Sequence, residues 1–147
     1  MKPTLNLKKA EKDLNKLFKT KSLVFQVQVV DNQLQCLSSF SIKHYDDDVF
    51  ARFEFNTNAT ADFCFTFDHL QINEQTLRMV NELNEKNLFF RAYVETEKKY
   101  LRLHYSIFDL PQDKVADTTA IILSYLSDKS LIPLLGPICV LTEGDNN

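Results

Sequence analysis

Residues 61–67 read Ala-Asp-Phe-Cys-Phe-Thr-Phe, so that Ala61, Phe63, Phe65 and Phe67 alternate without exception with Asp62, Cys64 and Thr66. A pleated strand sends successive side chains to opposite faces, and this rhythm therefore makes one side apolar and the other polar. The same period of two recurs in residues 23–29, 34–42, 49–55, 88–94 and 101–107. Turns of a few residues separate the first four of these segments, at 31–32, 46–48 and 56–60. Parallel neighbours need long crossovers, so the four must pair mostly antiparallel. A sheet of six such strands has one uniformly apolar face and one mixed face. Helices should cover the first and leave the second partly open to water.

Three helices supply that cover. In residues 7–18 the apolar positions Leu7, Ala10, Leu14, Leu17 and Phe18 follow helical spacing, with Thr4 or Asn6 as the cap, and Lys8, Lys12, Lys16 and Lys19 form a stripe nearly opposite. Asn73 is the expected cap of a second helix that carries Leu77, Val80 and Leu83 and ends at 84–87. Pro111 ends the sixth strand, and a third helix over about 112–130 carries Val115, Ile122, Leu123 and Leu126. The predicted fold is α+β: an antiparallel sheet of about six strands with helices packed on one face, in the order α-β-β-β-β-α-β-β-α. A chain of 147 residues is the size of a single domain with one core, here residues 1–147. Twelve Phe and no Trp mark the aromatic rings as core filling, since a Phe ring needs no hydrogen-bond partner once buried.

The charge balance narrows the partners. A net charge of −3 gives the chain no overall field to gather nucleic acid or anionic lipid. Seven lysines against Glu11 and Asp13 leave +5 on residues 1–21 and −8 on the remainder. The lysine stripe of the first helix could meet an acidic surface, but it lacks the interleaved aromatic or Arg residues of a nucleic-acid site, and no nucleic-acid partner is expected. Cys36, Cys64 and Cys139 are odd in number and widely spaced, which fits reduced thiols in a cytoplasmic setting better than a disulfide framework or a four-ligand zinc site. Neither a signal peptide nor a membrane span is read, because the longest apolar run, LIPLLGPICVL at 131–141, is broken by Pro133, Gly136 and Pro137. Those residues argue against one regular helix there.

The chain's two glycines, Gly136 and Gly144, exclude a phosphate-cradling P-loop and a dinucleotide fingerprint. No Gly-flanked Ser and no paired-His helix occurs. Asp46, Asp47 and Asp48, preceded by His44 and Tyr45, read as a solvated turn, since a hard cation needs oxygens held around one point. Asp62, Cys64 and Asp68 share one strand face with steps of roughly 7 Å, too far apart for adjacent members to bind one zinc ion unaided. His69 and His104 are given no partner by spacing. No catalytic residue, metal ligand or cofactor is assigned, and the chain is read as a non-enzyme.

The run VNELNEKN at 80–87, the strand pair FFRAYVE and YLRLHYS that follows it, and the amphipathic helix after Asp109-Leu110-Pro111 together resemble the YbjN-like family of bacterial proteins. Its fold is related to that of type III secretion chaperones, and the likeness spans about residues 5–129. It implies a small, non-enzymatic regulator or chaperone-like binder, in a family whose members frequently form homodimers. Secretion chaperones usually have three strands before the middle helix, whereas four are readable here, which favours the YbjN branch. The expected function is a protein-interaction module that binds an apolar or extended segment of a partner protein. Its candidate contacts are Ile132, Leu134, Leu135, Ile138 and Val140 in the apolar tail, with Arg52, Tyr93 and Arg102 on the mixed sheet face. The alternative is an immunity protein or inhibitor that turns the acidic remainder of the chain against a basic enzyme.

Overall fold

The computed structural model describes residues 2–41, 48–87, 89–127 and 131–139. The fold is α+β, with a six-stranded antiparallel open sheet and four helices. The elements are α1 (Leu7–Thr20), β1 (Gln26–Val30), β2 (Gln33–Phe40), β3 (Val49–Asn56), β4 (Ala61–Phe67), α2 (Glu74–Lys86), β5 (Arg91–Glu95), β6 (Tyr100–Ile107), α3 (Val115–Tyr125) and α4 (Ile132–Cys139). The strands lie in the order β1-β2-β3-β4-β6-β5, so the excursion through α2 leaves β6 beside β4 and puts β5 on the outside. Burial follows the alternation: Val49, Ala51, Phe53 and Phe55 of β3, all four odd positions of β4, and Leu101 and Leu103 of β6 are buried, while their neighbours stay partly exposed.

The residues fall into two compact units. The first comprises residues 1–38, 51–63 and 106–124. Here α1 buries Leu7, Ala10, Leu14 and Phe18 and packs against β1. Its Asn6 cap accepts a hydrogen bond from the Lys9 N–H at 3.1 Å, and Gln112 brackets the Asn6 backbone by accepting from its N–H and donating to its carbonyl. A chain of rings forms the core, with Phe18 stacked on Phe25 at 4.1 Å, then Phe53, Phe63 and Phe55 in tilted and edge contacts. The turn between β1 and β2 has Asp31 at φ 49° and Asn32 at φ 62°, a two-residue hairpin loop whose hand matches the twist of the strands.

The second unit comprises residues 39–50, 64–105 and 125–147. There α2 packs against β5 and α4. Its N-terminus is a reciprocal box, in which Asn73 accepts from the Thr76 N–H and the Thr76 hydroxyl accepts from the Asn73 N–H. A second ring cluster joins Phe40, Phe65, Phe90, Tyr125 and Phe89, the last two stacked at 4.0 Å.

Four details differ from the sequence reading. Thr76, Val80 and Leu83 form the buried face of α2, and Leu77 is exposed, because the Thr76 hydroxyl donates to the Gln71 carbonyl at 2.6 Å and can enter the core satisfied. Gln112–Lys114 is a 3-10 turn, and the third α-helix starts only at Val115 and ends at Tyr125. Residues 132–139 do form one helix despite their breakers. Pro133 falls in the first turn, where its missing N–H has no intrahelical acceptor to lose, and Pro137 forfeits a single bond, to the carbonyl of Pro133. Phe50 and Phe108 are exposed rather than core-filling.

Candidate functional site

The open face of the β5–β6 pair brings together exposed Arg91 and Tyr93 with half-buried Tyr100, Arg102 and His104. Register sets it up: Tyr93 lies directly opposite Arg102, Arg91 opposite His104, and Glu95 opposite Tyr100. Ala92, Leu101 and Leu103, one step out of phase, are buried, so the named residues point away from the core. Arg102 donates to the Tyr93 hydroxyl, and its guanidinium carbon stands 4.6 Å from the centre of the Tyr100 ring. That hydrogen bond, more than any other influence, raises the Arg102 pKa above its ordinary value, and burial opposes it only partly. The group is a permanent cation that contacts the ring of Tyr100 and the hydroxyl of Tyr93. Its Nε is shielded from water and finds no acceptor among the described residues. Cys64, half-buried on β4, feels the charge of Arg102.

Of the candidates read from sequence, Tyr93 and Arg102 are thus brought into contact. Arg52 belongs to the other unit, where it is exposed and ion-paired with Glu54. It joins an amide-rich network on the polar side of β1, β2 and β3. There Gln33 donates to Glu54 and to Asn56 at 3.1 Å, and Gln35 donates to Gln33 at 2.8 Å and accepts a long bond from Gln28. In the tail, Leu135 and Ile138 are buried and Leu134 is half-buried, with α4 set against α2. While α4 is docked, Leu135 and Ile138 are core of this chain. Val140 and the side chain of Ile132 lie outside the described residues, as do residues 42–47, which include His44, Tyr45, Asp46 and Asp47.

Among the described residues no three His, Cys, Asp or Glu side chains come together as a metal site. No helix is long and apolar enough to cross a membrane. Asp62 accepts from the Ser106 hydroxyl at 2.5 Å, which ties one member of the Asp62–Cys64–Asp68 set into the sheet surface. Cys36 is buried where Cys64 is half-buried. Burial, aided by Glu11, pushes its thiol up to about 12. Lys8, Lys12, Lys16 and Lys19 of α1 are all exposed, as the stripe requires.

Sequence reasoning missed two asparagines and an edge. Asn84 hydrogen-bonds both backbone groups of Ala92, and Asn87 is buried with its carbonyl accepting from the N–H groups of Phe89 and Phe90. The VNELNEKN run is therefore a device that fastens α2 to β5. The signal was the pair of asparagines at i and i+3 closing a helix, but their partners lie on the strand after it and spacing does not name them. The missed edge is β1, whose Val29 and Val30 are 43% and 41% exposed, with Val24 just before it at 87%. No protein-family model matches the chain, and no curated protein is significantly similar to it in sequence.

Proposed function

We propose that the chain is a non-enzymatic protein-interaction module of the YbjN-like kind, with a regulatory or chaperone-like role in the cytoplasm, and that it holds an extended segment of a partner protein on the open face of β5 and β6. The observation that carries this reading is the Tyr93–Arg102–Tyr100 cluster. Tyrosine and arginine are the residue types in which binding energy concentrates at protein interfaces, and a guanidinium already held by the Tyr100 ring and the Tyr93 hydroxyl loses little freedom when a partner covers it. The apolar tail contributes through Leu134 and the end of α4 rather than through Leu135 and Ile138. A second copy of the chain is among the partners that the family resemblance implies.

The rival reading, an immunity protein or inhibitor for a basic enzyme, needs an exposed acidic surface. Arg91 and Arg102 on the β5–β6 face are the wrong sign for it. The test is affinity capture from native extract with the full chain and with a Tyr93→Ala/Arg102→Ala double variant. A partner retained by the first and lost by the second at unchanged thermal stability supports the proposal. Equal recovery by both contradicts it, and tight one-to-one capture of a basic enzyme that weakens steeply with salt favours the rival.

A further inference from the structure

The two outer strands of the sheet are treated differently. Asn84 occupies both backbone groups of Ala92 on β5, and Arg91 and Glu95 put charge at that strand's ends. On β1 the sequence Gln-Val-Gln-Val-Val has no charge, no proline and no bulge, and its ladder partner is β2 alone. An uncharged, β-branched, exposed edge invites another strand unless something blocks it.

The hairpin geometry says which groups are on offer. A two-residue loop makes Val30 and Gln33 a hydrogen-bonded pair, and alternation then turns the N–H and C=O groups of Val27 and Val29 outward. An antiparallel strand that uses both residues must place its own outward groups two residues apart, and β1 itself meets that condition. When two copies are related by a two-fold axis at Gln28, Val27 of each stands opposite Val29 of the other, and Gln28 faces Gln28 across the axis. This one register also places the exposed Val30 of one copy diagonal to the exposed Val24 of the other. It meets no opposed charges, since β1 carries none. The Gln28 amide, already at the end of the Gln33–Gln35 network, meets its own equivalent, and an amide is donor and acceptor at once.

We propose that the free edge of β1 pairs with β1 of a second copy of this chain in that register, joining two sheets through their first strands. The partner-segment reading concerns another strand pair, and either proposal can fail without the other. A contact of five residues a side falls short of the ~1,200 Å² at which standard interfaces begin, so the association is weak and reversible, micromolar at best. The lysine row of α1, which packs on β1, comes closer to its counterpart in the dimer, so added salt strengthens it.

The test uses the full chain in a Cys64→Ser/Cys139→Ser background. At a non-hydrogen-bonded antiparallel position the Cα atoms approach to about 4.5 Å, within disulfide reach. Gln28→Cys is expected to give a disulfide-linked dimer on mild oxidation, and Gln26→Cys, about four residues out of register with its twin, at least about tenfold less. By sedimentation, Val29→Lys and Val24→Lys are each expected to weaken the dimer about tenfold or more. Val24 is exposed enough that its change leaves folding intact. A chain that stays monomeric at high concentration, equal cross-linking from Gln26→Cys and Gln28→Cys, or a dimer indifferent to both lysines overturns the proposal.

Discussion

The side chain of Asn84 on α2 stands in for a seventh strand along one residue of β5: its Nδ2 donates to the Ala92 carbonyl at 2.8 Å, and its Oδ1 accepts from the Ala92 N–H at 2.7 Å. A helix is thereby latched to an outer strand, and the backbone groups of Ala92 are denied to other chains. The positions of Tyr93 and Glu95 on the open face depend on that latch, because they alternate with the residue it holds.

Asn84→Ala removes both bonds and leaves an N–H and a carbonyl of β5 to be satisfied by water. The expected cost is about 1–3 kcal/mol in urea unfolding, with a greater tendency to aggregate through β5. Asn84→Asp keeps the acceptor but sets a carboxylate against the Ala92 carbonyl, so it should not rescue. A loss below about 0.5 kcal/mol for Asn84→Ala would mean that the latch is ornamental.

Helix α1 ends in a left-handed residue without glycine. Ser22 has φ 56°, its N–H reaches the Lys19 carbonyl, and the Leu23 N–H reaches the Phe18 carbonyl at 2.8 Å, the paired bonds of a helix stop that glycine normally serves. Ser22→Gly should therefore raise stability, by about 0.5–1 kcal/mol, although glycine loosens the unfolded chain. Thermal unfolding of the two proteins side by side reads the sign directly. The same substitution logic applies to the exposed Lys99 at φ 57°.

The buried thiol of Cys36 makes stability fall in alkali. Its folded pKa is raised to about 12, first by burial and then by Glu11, whereas in the unfolded chain it ionises near the ordinary cysteine value. The contribution is whole below the unfolded value and is lost as pH climbs toward the folded one, at about 1.4 kcal/mol per pH unit in between. Wild type minus Cys36→Ala should show that slope above roughly pH 9, where the variant's own alkaline loss is subtracted. In a Cys139→Ser background, iodoacetamide should modify the half-buried Cys64 in the native state and Cys36 only on unfolding.

Strands were legible because alternation is a one-dimensional signal: the buried set Phe53, Phe55, Phe63, Phe65 and Phe67 can be written from the sequence. The capped starts of α1 and α2 were legible for the same reason, since Asn6 and Asn73 act within three residues. What escaped were relations between elements. Thr76 displaced Leu77 from the core because a carbonyl outside the helix takes its hydroxyl. Pro133 and Pro137 were read as breakers, but an eight-residue helix has so few internal bonds that two prolines cost it little. At the site, Tyr93 and Arg102 were named singly as exposed sheet residues, and the hairpin register that pairs them is a property of the turn at 96–99. Val29 falls on the apolar rhythm of residues 23–29, yet the core does not extend beyond an outer strand to cover it.

Partner recognition at the β5–β6 face is most directly tested by placing a photo-cross-linking phenylalanine analogue at position 93 of the full chain and, separately, at the exposed position 20 of α1, then irradiating in native extract. The account predicts a dominant covalent adduct from position 93 that Arg102→Ala abolishes and that position 20 does not form. The same adducts from both positions, or an adduct at 93 that survives Arg102→Ala, would contradict it.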